Sequence, residues 1–205
     1  MIPYGRHFID NADIKAVIDV LNGDALTQGP KIQEFESLVA EYVGADYAVA
    51  VSSGTAALHL ALLASGVMAG KSTITSPITF VSSANASLFC GGEVNFVDID
   101  EESLNISPIY LEKKLNVEKS VQTLIPVHFA GLPANMSEIK KIATNHDLYV
   151  VEDAAHALGG TYENGTRVGC CSNSDMTIFS FHPVKALATG EGGMITTNDQ
   201  NLYQS

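Results

Sequence analysis

A lysine lies where an apolar run gives way to a glycine-rich loop, in FSFHPVKALATGEGG at Phe179–Gly193. Lys185 comes two residues after Pro183 and five after Ser180, and three glycines follow it. This placement predicts a lysine at the mouth of a sheet, where an unprotonated amine can form a Schiff base with a carbonyl. A solvated loop lysine is the alternative interpretation.

A carboxylate and an imidazole follow an earlier apolar run, in VVEDAAHALGG. Asp153 ends the run and His156 comes three residues later. Such a carboxylate can hold a protonated ring nitrogen of a ligand, because opposite charges in contact keep both partners ionised. A helix cap followed by a core histidine would give the same pattern.

Two more segments place binding groups after apolar runs. In VSSGTAAL, Gly54 allows close approach of a ligand, while Ser53 and Thr55 add hydroxyls to the free N–H groups of a helix start. This pattern favours an anion site, although an ordinary capped helix would share it. In PITFVSSAN, Phe80 offers an aromatic face, and core packing is its alternative role.

Short apolar runs alternate with helix-like stretches along most of the chain. The runs predict seven strands, over Tyr47–Val51, Thr73–Ser76, Glu93–Val97, Gln122–Val127, Tyr149–Glu152, Met176–Phe181 and Met194–Thr197. Helices are predicted between them over Thr55–Ser65, Val81–Phe89, Ser107–Leu115 and Met136–Asn145. The alternation predicts an α/β fold with a mostly parallel sheet and helices on both faces, whose strand ends gather binding residues.

Two amphipathic helices are predicted before the first strand. One runs from Asp10 to Gly23, with apolar residues spaced along one helix face. The other begins at Pro30 and ends at Gly44. The loop between them offers several polar groups.

Composition and charge narrow the classes of function. The 205 residues are 46% hydrophobic, which is enough for one sizeable domain. The net charge of −12 and the lack of a basic run argue against nucleic acid as a partner. The three cysteines, Cys90, Cys170 and Cys171, have neither zinc-ligand spacing nor a disulfide framework, so we expect no metal and a cytoplasmic location.

One long uncharged stretch raises the question of a membrane span. Tyr47 to Gly70 holds no charged residue, but its serines, Thr55 and His59 interrupt its apolar character. The N-terminal MIPYGRHFIDNAD also lacks the apolar core of a signal peptide. We therefore expect no membrane partner.

The order of these features along the chain resembles one enzyme group. Enzymes of the aspartate aminotransferase fold (fold type I) build a pyridoxal phosphate site from the same features in the same order: an anion site at a helix start, an aromatic face, a carboxylate, and then a serine and a lysine. Within that group the sequence resembles the DegT/DnrJ-type sugar aminotransferases. The resemblance covers the chain from LTQGP through SSGTAAL, PITFVSSANA, VEDAAHALGG and FSFHPVK to GEGGMITTND.

The resemblance implies a role for each residue. Lys185 forms the Schiff base with the cofactor and later moves the proton, while Asp153 pairs with the pyridinium nitrogen. His156 lies beside the phenolic oxygen, where many relatives have Gln. Backbone N–H groups at the helix start and the Ser180 hydroxyl hold the phosphate, and Phe80 covers the ring. The implied cofactor-binding set is Ser53, Gly54, Thr55, Phe80, Asp153, His156, Ser180 and Lys185.

LTQGP and FHPVK most resemble transaminases that aminate UDP-4-keto-6-deoxy-N-acetylhexosamines on the way to pseudaminic acid. In that branch the residues matching Tyr4, Leu26 and Thr27 line the sugar-nucleotide site. The branch implies L-glutamate as amino donor and a homodimer with a shared active site. Aminotransferases of dTDP-keto-sugars share these motifs and are the alternative.

Other activities are open within the same fold. A lyase or desulfurase would need a cysteine nucleophile or different carboxylate recognition, and a regulatory protein would bind the cofactor without turnover. A dehydratase sub-branch replaces the lysine by histidine, so the presence of Lys185 disfavours that chemistry.

The chain stops soon after a predicted helix cap at Asp199, in TTNDQNLYQS. Relatives continue into a smaller C-terminal domain. We therefore expect residues 1–205 to be an N-terminal arm plus the cofactor-binding large domain of a longer chain, with the small domain missing. The piece alone would expose apolar surface and is expected to be poorly soluble or inactive.

Overall fold

The computed structural model describes residues 7–205, and in this range seven strands form one sheet. The strands are β1 (Tyr47–Val51), β2 (Ser72–Thr75), β3 (Glu93–Phe96), β4 (Val121–Ile125), β5 (Tyr149–Asp153), β6 (Met176–Ser180) and β7 (Gly193–Thr197). The helices are α1 (Asn11–Leu21), α2 (Pro30–Val43), α3 (Gly54–Ala64), α4 (Ser82–Phe89), α5 (Pro108–Val117), α6 (Met136–Asn145) and α7 (Gln200–Gln204).

The sheet has the order β1-β7-β6-β5-β4-β2-β3, which places β5 at its centre. Strand β7 runs antiparallel to β1 and β6, and the remaining pairs are parallel. Ser180 lies opposite Gly193, so the loop that carries Lys185 leaves and re-enters the sheet at one edge. The mostly parallel seven-stranded sheet predicted from the sequence is confirmed.

Helices cover both faces of the sheet because neighbouring strand residues point to opposite sides. In β6, Ile178 packs in one cluster with Leu62 of α3, whereas Phe179 packs on the other face with Val43 of α2. A third cluster joins β4 and β5 to α5 and α6. The alternation decides on which face of the sheet each strand side chain lies.

Local signals explain the ends of the elements. Asp10 caps α1 through a capping box, and Gly44 ends α2 in a left-handed conformation that favours glycine. Strand β4 ends at Ile125, two residues before the predicted end, because Pro126 has no N–H to continue the ladder. Asp199 caps α7 as predicted, accepting hydrogen bonds from two backbone N–H groups.

The helix α1 has no buried residue, and its apolar face stays exposed. Ile14, Val17, Ile18 and Leu21 are each about half exposed or more. Across residues 7–205, none of the helices has both the length and the apolar character needed to cross a membrane.

Candidate functional site

A cavity of about 610 Å³ opens at the carboxyl edge of the sheet. It lies where β1, β2, β4, β5 and β6 end, so each strand delivers the residues that follow it to the same place. All eight residues predicted to bind the cofactor line this cavity: Ser53, Gly54, Thr55, Phe80, Asp153, His156, Ser180 and Lys185.

Asp153 ends the central strand and is 5% exposed. Its Oδ2 accepts a hydrogen bond from the Ser83 hydroxyl at 2.6 Å, and its Oδ1 accepts one from the Ala155 backbone N–H at 3.2 Å. A buried carboxylate is costly unless it is paired or hydrogen-bonded. These two donors use half of its acceptor capacity, and the carboxylate can also take a cationic partner from the cavity.

Lys185 is half-buried in the loop between β6 and β7, where its backbone N–H donates to the His182 carbonyl at 2.8 Å. Burial lowers the pKa of its amine, and the negative charge of Asp153 opposes part of that shift. A lowered pKa increases the fraction of unprotonated amine near neutral pH. Lys185 is therefore better suited than an exposed lysine to attack a carbonyl.

His156 also lines the cavity but is more exposed to solvent. Burial lowers the pKa of its imidazole, and the charge of Lys185 acts in the same direction, whereas Asp153 opposes them. The imidazole is therefore mostly neutral at pH 7, when it can offer one N–H donor and one acceptor to a ligand.

The start of α3, here called the anion-binding cradle, has the free N–H groups and hydroxyls expected of an anion site. Ser53 caps the helix by accepting the Ala56 N–H at 3.1 Å, and the N–H groups of Gly54 and Thr55 in the first turn have no acceptor within the helix. A Cβ on Gly54 would lie 2.9 Å from the Ser180 Cβ, so only glycine brings this helix start so close to the end of β6. The hydroxyl of Ser180 lines the same cavity.

Phe80 is 73% exposed at the cavity, so it does not serve as a core residue in this chain. Next to it, Ser82 of α4 shares a hydrogen bond of 2.7 Å with the Thr55 hydroxyl of α3. This bond ties the aromatic segment to the anion-binding cradle.

The predicted sugar-nucleotide residues are not brought to the cavity within the part of the chain that the structure describes. Leu26 and Thr27 lie between α1 and α2, are exposed, and do not belong to the cavity lining. Tyr4 lies outside the described residues. The role of these three residues stays a prediction.

The sequence interpretation missed a buried network directly beside the site. Glu152 is fully buried and points away from Asp153, because consecutive strand residues face opposite sides. Its Oε2 accepts hydrogen bonds from His128 Nε2 at 2.7 Å and from the Tyr162 hydroxyl at 2.5 Å. Its Oε1 accepts bonds from the hydroxyls of Ser174 and Thr177.

These bonds fix the protonation of the network. Burial alone would raise the pKa of Glu152, but the hydrogen bonds from His128, Ser174 and Tyr162 outweigh it and lower the pKa. The Ala134 N–H donates to Nδ1 of His128, so the imidazole hydrogen sits on Nε2 and is given to Glu152. Both nitrogens of His128 are thus engaged, and His128 is not free to act as a base although it lines the cavity. The carboxylate within the apolar run VVED was the signal that could have revealed this network.

The structure is an α/β domain with a free helix start, a buried carboxylate and a lysine at one edge of the sheet. Residues 7–205 match the model of the DegT/DnrJ/EryC1/StrS aminotransferase family, and the chain belongs to this family. The cofactor of the family is pyridoxal phosphate.

Similar proteins carry more specific names. The spore coat polysaccharide biosynthesis protein SpsC of Bacillus subtilis is 47% identical over 201 residues, covering 98% of this chain and 50% of that protein. The UDP-4-amino-4,6-dideoxy-N-acetyl-beta-L-altrosamine transaminase of Campylobacter jejuni is 40% identical, over 98% of this chain and 53% of that protein. The structure of Helicobacter pylori PseC, an aminotransferase involved in the biosynthesis of pseudoaminic acid, superposes with a TM-score of 0.90 at 33% identity, over 98% of this chain and 53% of that one. The chain spans about half the length of the relatives it matches.

The residues of the cavity fit pyridoxal phosphate in charge and in space. The helix start and Ser180 would hold the phosphate, and they lie so close together that a Cβ on Gly54 would clash with Ser180. Asp153 would face the ring nitrogen, and the half-buried Lys185 amine would reach the aldehyde carbon. The volume of about 610 Å³ leaves room for a substrate beside the cofactor.

We predict that Glu152→Ala in the full-length protein lowers the free energy of unfolding by several kcal/mol at pH 7, since each buried donor left unpaired costs about 1–3 kcal/mol. Urea denaturation measures this change. Because the pKa of Glu152 is lowered in the folded state, its contribution is present above the ordinary glutamate pKa of about 4.3 and is lost as the pH falls through the folded value. The gap between wild type and variant should therefore shrink in acid.

The exposed Glu163→Ala is the matched control for this prediction and should change stability by less than about 0.5 kcal/mol. Equal stability of Glu152→Ala and wild type at pH 7 would contradict the assignment of Glu152 as a hydrogen-bonded anion.

Proposed function

We propose that the full-length protein is a pyridoxal phosphate-dependent aminotransferase that transfers an amino group from L-glutamate to a nucleotide-linked 4-keto-6-deoxy sugar. The observation that carries this proposal is the meeting of Lys185, Asp153 and the α3 start in one cavity. Membership of the aminotransferase family supports the reaction class.

Pyridoxal phosphate, when bound, supplies an electron sink for the carbanion that forms at the α-carbon of the amino donor. The Asp153 carboxylate would pair with the ring nitrogen and favour its protonated form, which would maintain that sink. The Lys185 amine, with its lowered pKa, takes the proton from the α-carbon as general base and returns it as general acid.

The remaining cavity residues hold and orient the reacting groups. The N–H groups of Gly54 and Thr55 and the Ser180 hydroxyl would hold the phosphate and so position the ring relative to Lys185. His156 would hydrogen-bond the phenolic oxygen, and Phe80 would cover the ring. No cysteine of residues 7–205 lines the cavity, and burial raises the pKa of Cys171 to about 12, which disfavours a desulfurase that uses a thiolate from this part of the chain.

For the acceptor we propose a UDP-linked 4-keto-6-deoxy-N-acetylhexosamine. The name of the Campylobacter jejuni relative and the description of Helicobacter pylori PseC support this choice. In this proposal Tyr4, Leu26 and Thr27 contact the sugar nucleotide. Leu26 and Thr27 are exposed in residues 7–205 and so are accessible to a ligand.

We further propose that residues 1–205 are the cofactor-binding domain of a longer, cytoplasmic chain that works as a homodimer with a shared active site. Apolar side chains are exposed on α1 and on α3, where Leu60 and Leu63 are each nearly half exposed. These exposed faces support the proposal that further protein surface packs against them.

We predict that the full-length protein turns yellow with pyridoxal phosphate and that borohydride then fixes the cofactor to Lys185, as seen by peptide mass. Lys185→Ala should lose both signals, because it removes the amine that bonds to the aldehyde. The exposed Lys141→Ala should keep both. A colourless wild type that binds the cofactor only non-covalently would contradict the role of Lys185.

Replacing Asp153 by Ala should leave the covalent bond at Lys185 but slow transamination by about 10³-fold or more, a barrier increase of several kcal/mol. Single-turnover kinetics with glutamate measure the change. If the variant keeps more than about a tenth of the wild-type rate, Asp153 does not hold the ring nitrogen.

A coupled assay that offers UDP- and dTDP-linked keto-sugars side by side tests the acceptor. We expect a higher kcat/KM for the UDP-N-acetylhexosamine. Preference for the dTDP-sugar would assign the protein to a sister branch, and cofactor binding without turnover of any keto-sugar would favour a regulatory role.

A further inference from the structure

Ser83 is a fully buried residue of α4 whose hydroxyl lies 2.6 Å from Oδ2 of Asp153. Ser83 and Asp153 are distant in sequence. They meet because α4 follows β2 at the same edge of the sheet where β5 ends. The contact joins a neutral hydroxyl to the carboxylate on which the proposed function depends.

The single hydrogen of Ser83 Oγ has three acceptors within reach. The Thr79 hydroxyl lies at 2.7 Å, the Phe80 carbonyl at 3.2 Å and Asp153 Oδ2 at 2.6 Å. The carboxylate is charged and nearest, and hydrogen bonds to charged acceptors are the strongest. The Phe80 carbonyl already accepts the Ser83 backbone N–H at 3.1 Å. Ser83 therefore donates to Asp153.

Thr79 then has a fixed role as donor. Once the Ser83 hydrogen points at Asp153, the Ser83 oxygen can only accept from Thr79. The result is a directed chain, Thr79 to Ser83 to Asp153, in which each bond polarises the next.

The two oxygens of Asp153 are held from different elements. Ser83 of α4 holds Oδ2, and the Ala155 N–H after β5 holds Oδ1. The backbone of Asp153 is fixed separately, since its N–H donates to the Pro126 carbonyl and its carbonyl accepts the His128 N–H. The rotation of the carboxylate thus depends on its two side-chain contacts, of which Ser83 is the shorter.

We propose that Ser83 is a positioning residue that orients the Asp153 carboxylate toward the ring nitrogen of the cofactor, with Thr79 directing the Ser83 hydrogen. This inference rests on the proposed function. It adds a hydroxyl that does not itself touch the cofactor but sets the orientation of the group that does.

The test measures pyridoxal phosphate dissociation constants and the kcat and KM of transamination in the full-length protein. Ser83→Ala should weaken cofactor binding by about 10-fold or more, the effect of losing a hydrogen bond to a charged group. It should also lower the kcat of transamination with little change in the KM for the amino donor, because a misoriented carboxylate pairs less well with the ring nitrogen but does not bind the donor. The other titratable residues that line the cavity are the same in both proteins: His128, His156, His182, Lys185 and Glu191.

Two variants separate positioning from structural support. Ser83→Thr keeps the hydroxyl and should restore both the affinity and kcat. Ser87→Ala removes an equally buried hydroxyl from the same helix, one that donates to the Glu93 carbonyl at 2.7 Å, and should change neither. If Ser83→Ala does not fold, Thr79→Val decides, with a smaller loss in the same direction.

Each of four results would overturn the proposal: wild-type behaviour of Ser83→Ala, equal losses in Ser87→Ala, failure of folded Ser83→Thr to restore binding, or no change in Thr79→Val. A wild type that binds no pyridoxal phosphate would instead refute the proposed function, so the two failures are distinguishable.

Discussion

A carboxylate at the end of the central strand is the constraint on which the site depends. Asp153 is nearly excluded from water, and a charge in such a place needs hydrogen bonds or a cation. The parallel sheet brings donors from α4 and from its own strand end, and it places the Lys185 loop on the same edge. Charge, burial and topology together give this edge a cavity that is suited to a cation and a carbonyl.

Two adjacent carboxylates show how one strand divides support from chemistry. Glu152 points into the protein and accepts bonds from an imidazole and three hydroxyls, which leaves it saturated. Asp153 points to the cavity with only two donors among residues 7–205, and therefore retains capacity for a ligand. The strand alternation separates a residue that stabilises the fold from one that is available to a cofactor.

Much of this could be predicted from the sequence, because the signals were local. The seven strands followed apolar runs, and Gly54, Asp153 and Lys185 could be placed at strand ends by the alternation of elements. Ser83 and the Glu152 network were missed because their contacts join segments 10 to 70 residues apart, for which a single sequence gives no distance. The sugar-nucleotide role of Leu26 and Thr27 was predicted from resemblance alone, and neither residue lines the cavity formed by residues 7–205.

The crystal structure of the full-length protein with pyridoxal phosphate tests the central claim most directly. The account predicts continuous density between the cofactor and Lys185, the phosphate at the start of α3, and a ring nitrogen about 2.7–3.2 Å from an Asp153 oxygen. A cofactor bound elsewhere, or a ring nitrogen facing away from Asp153, would contradict it.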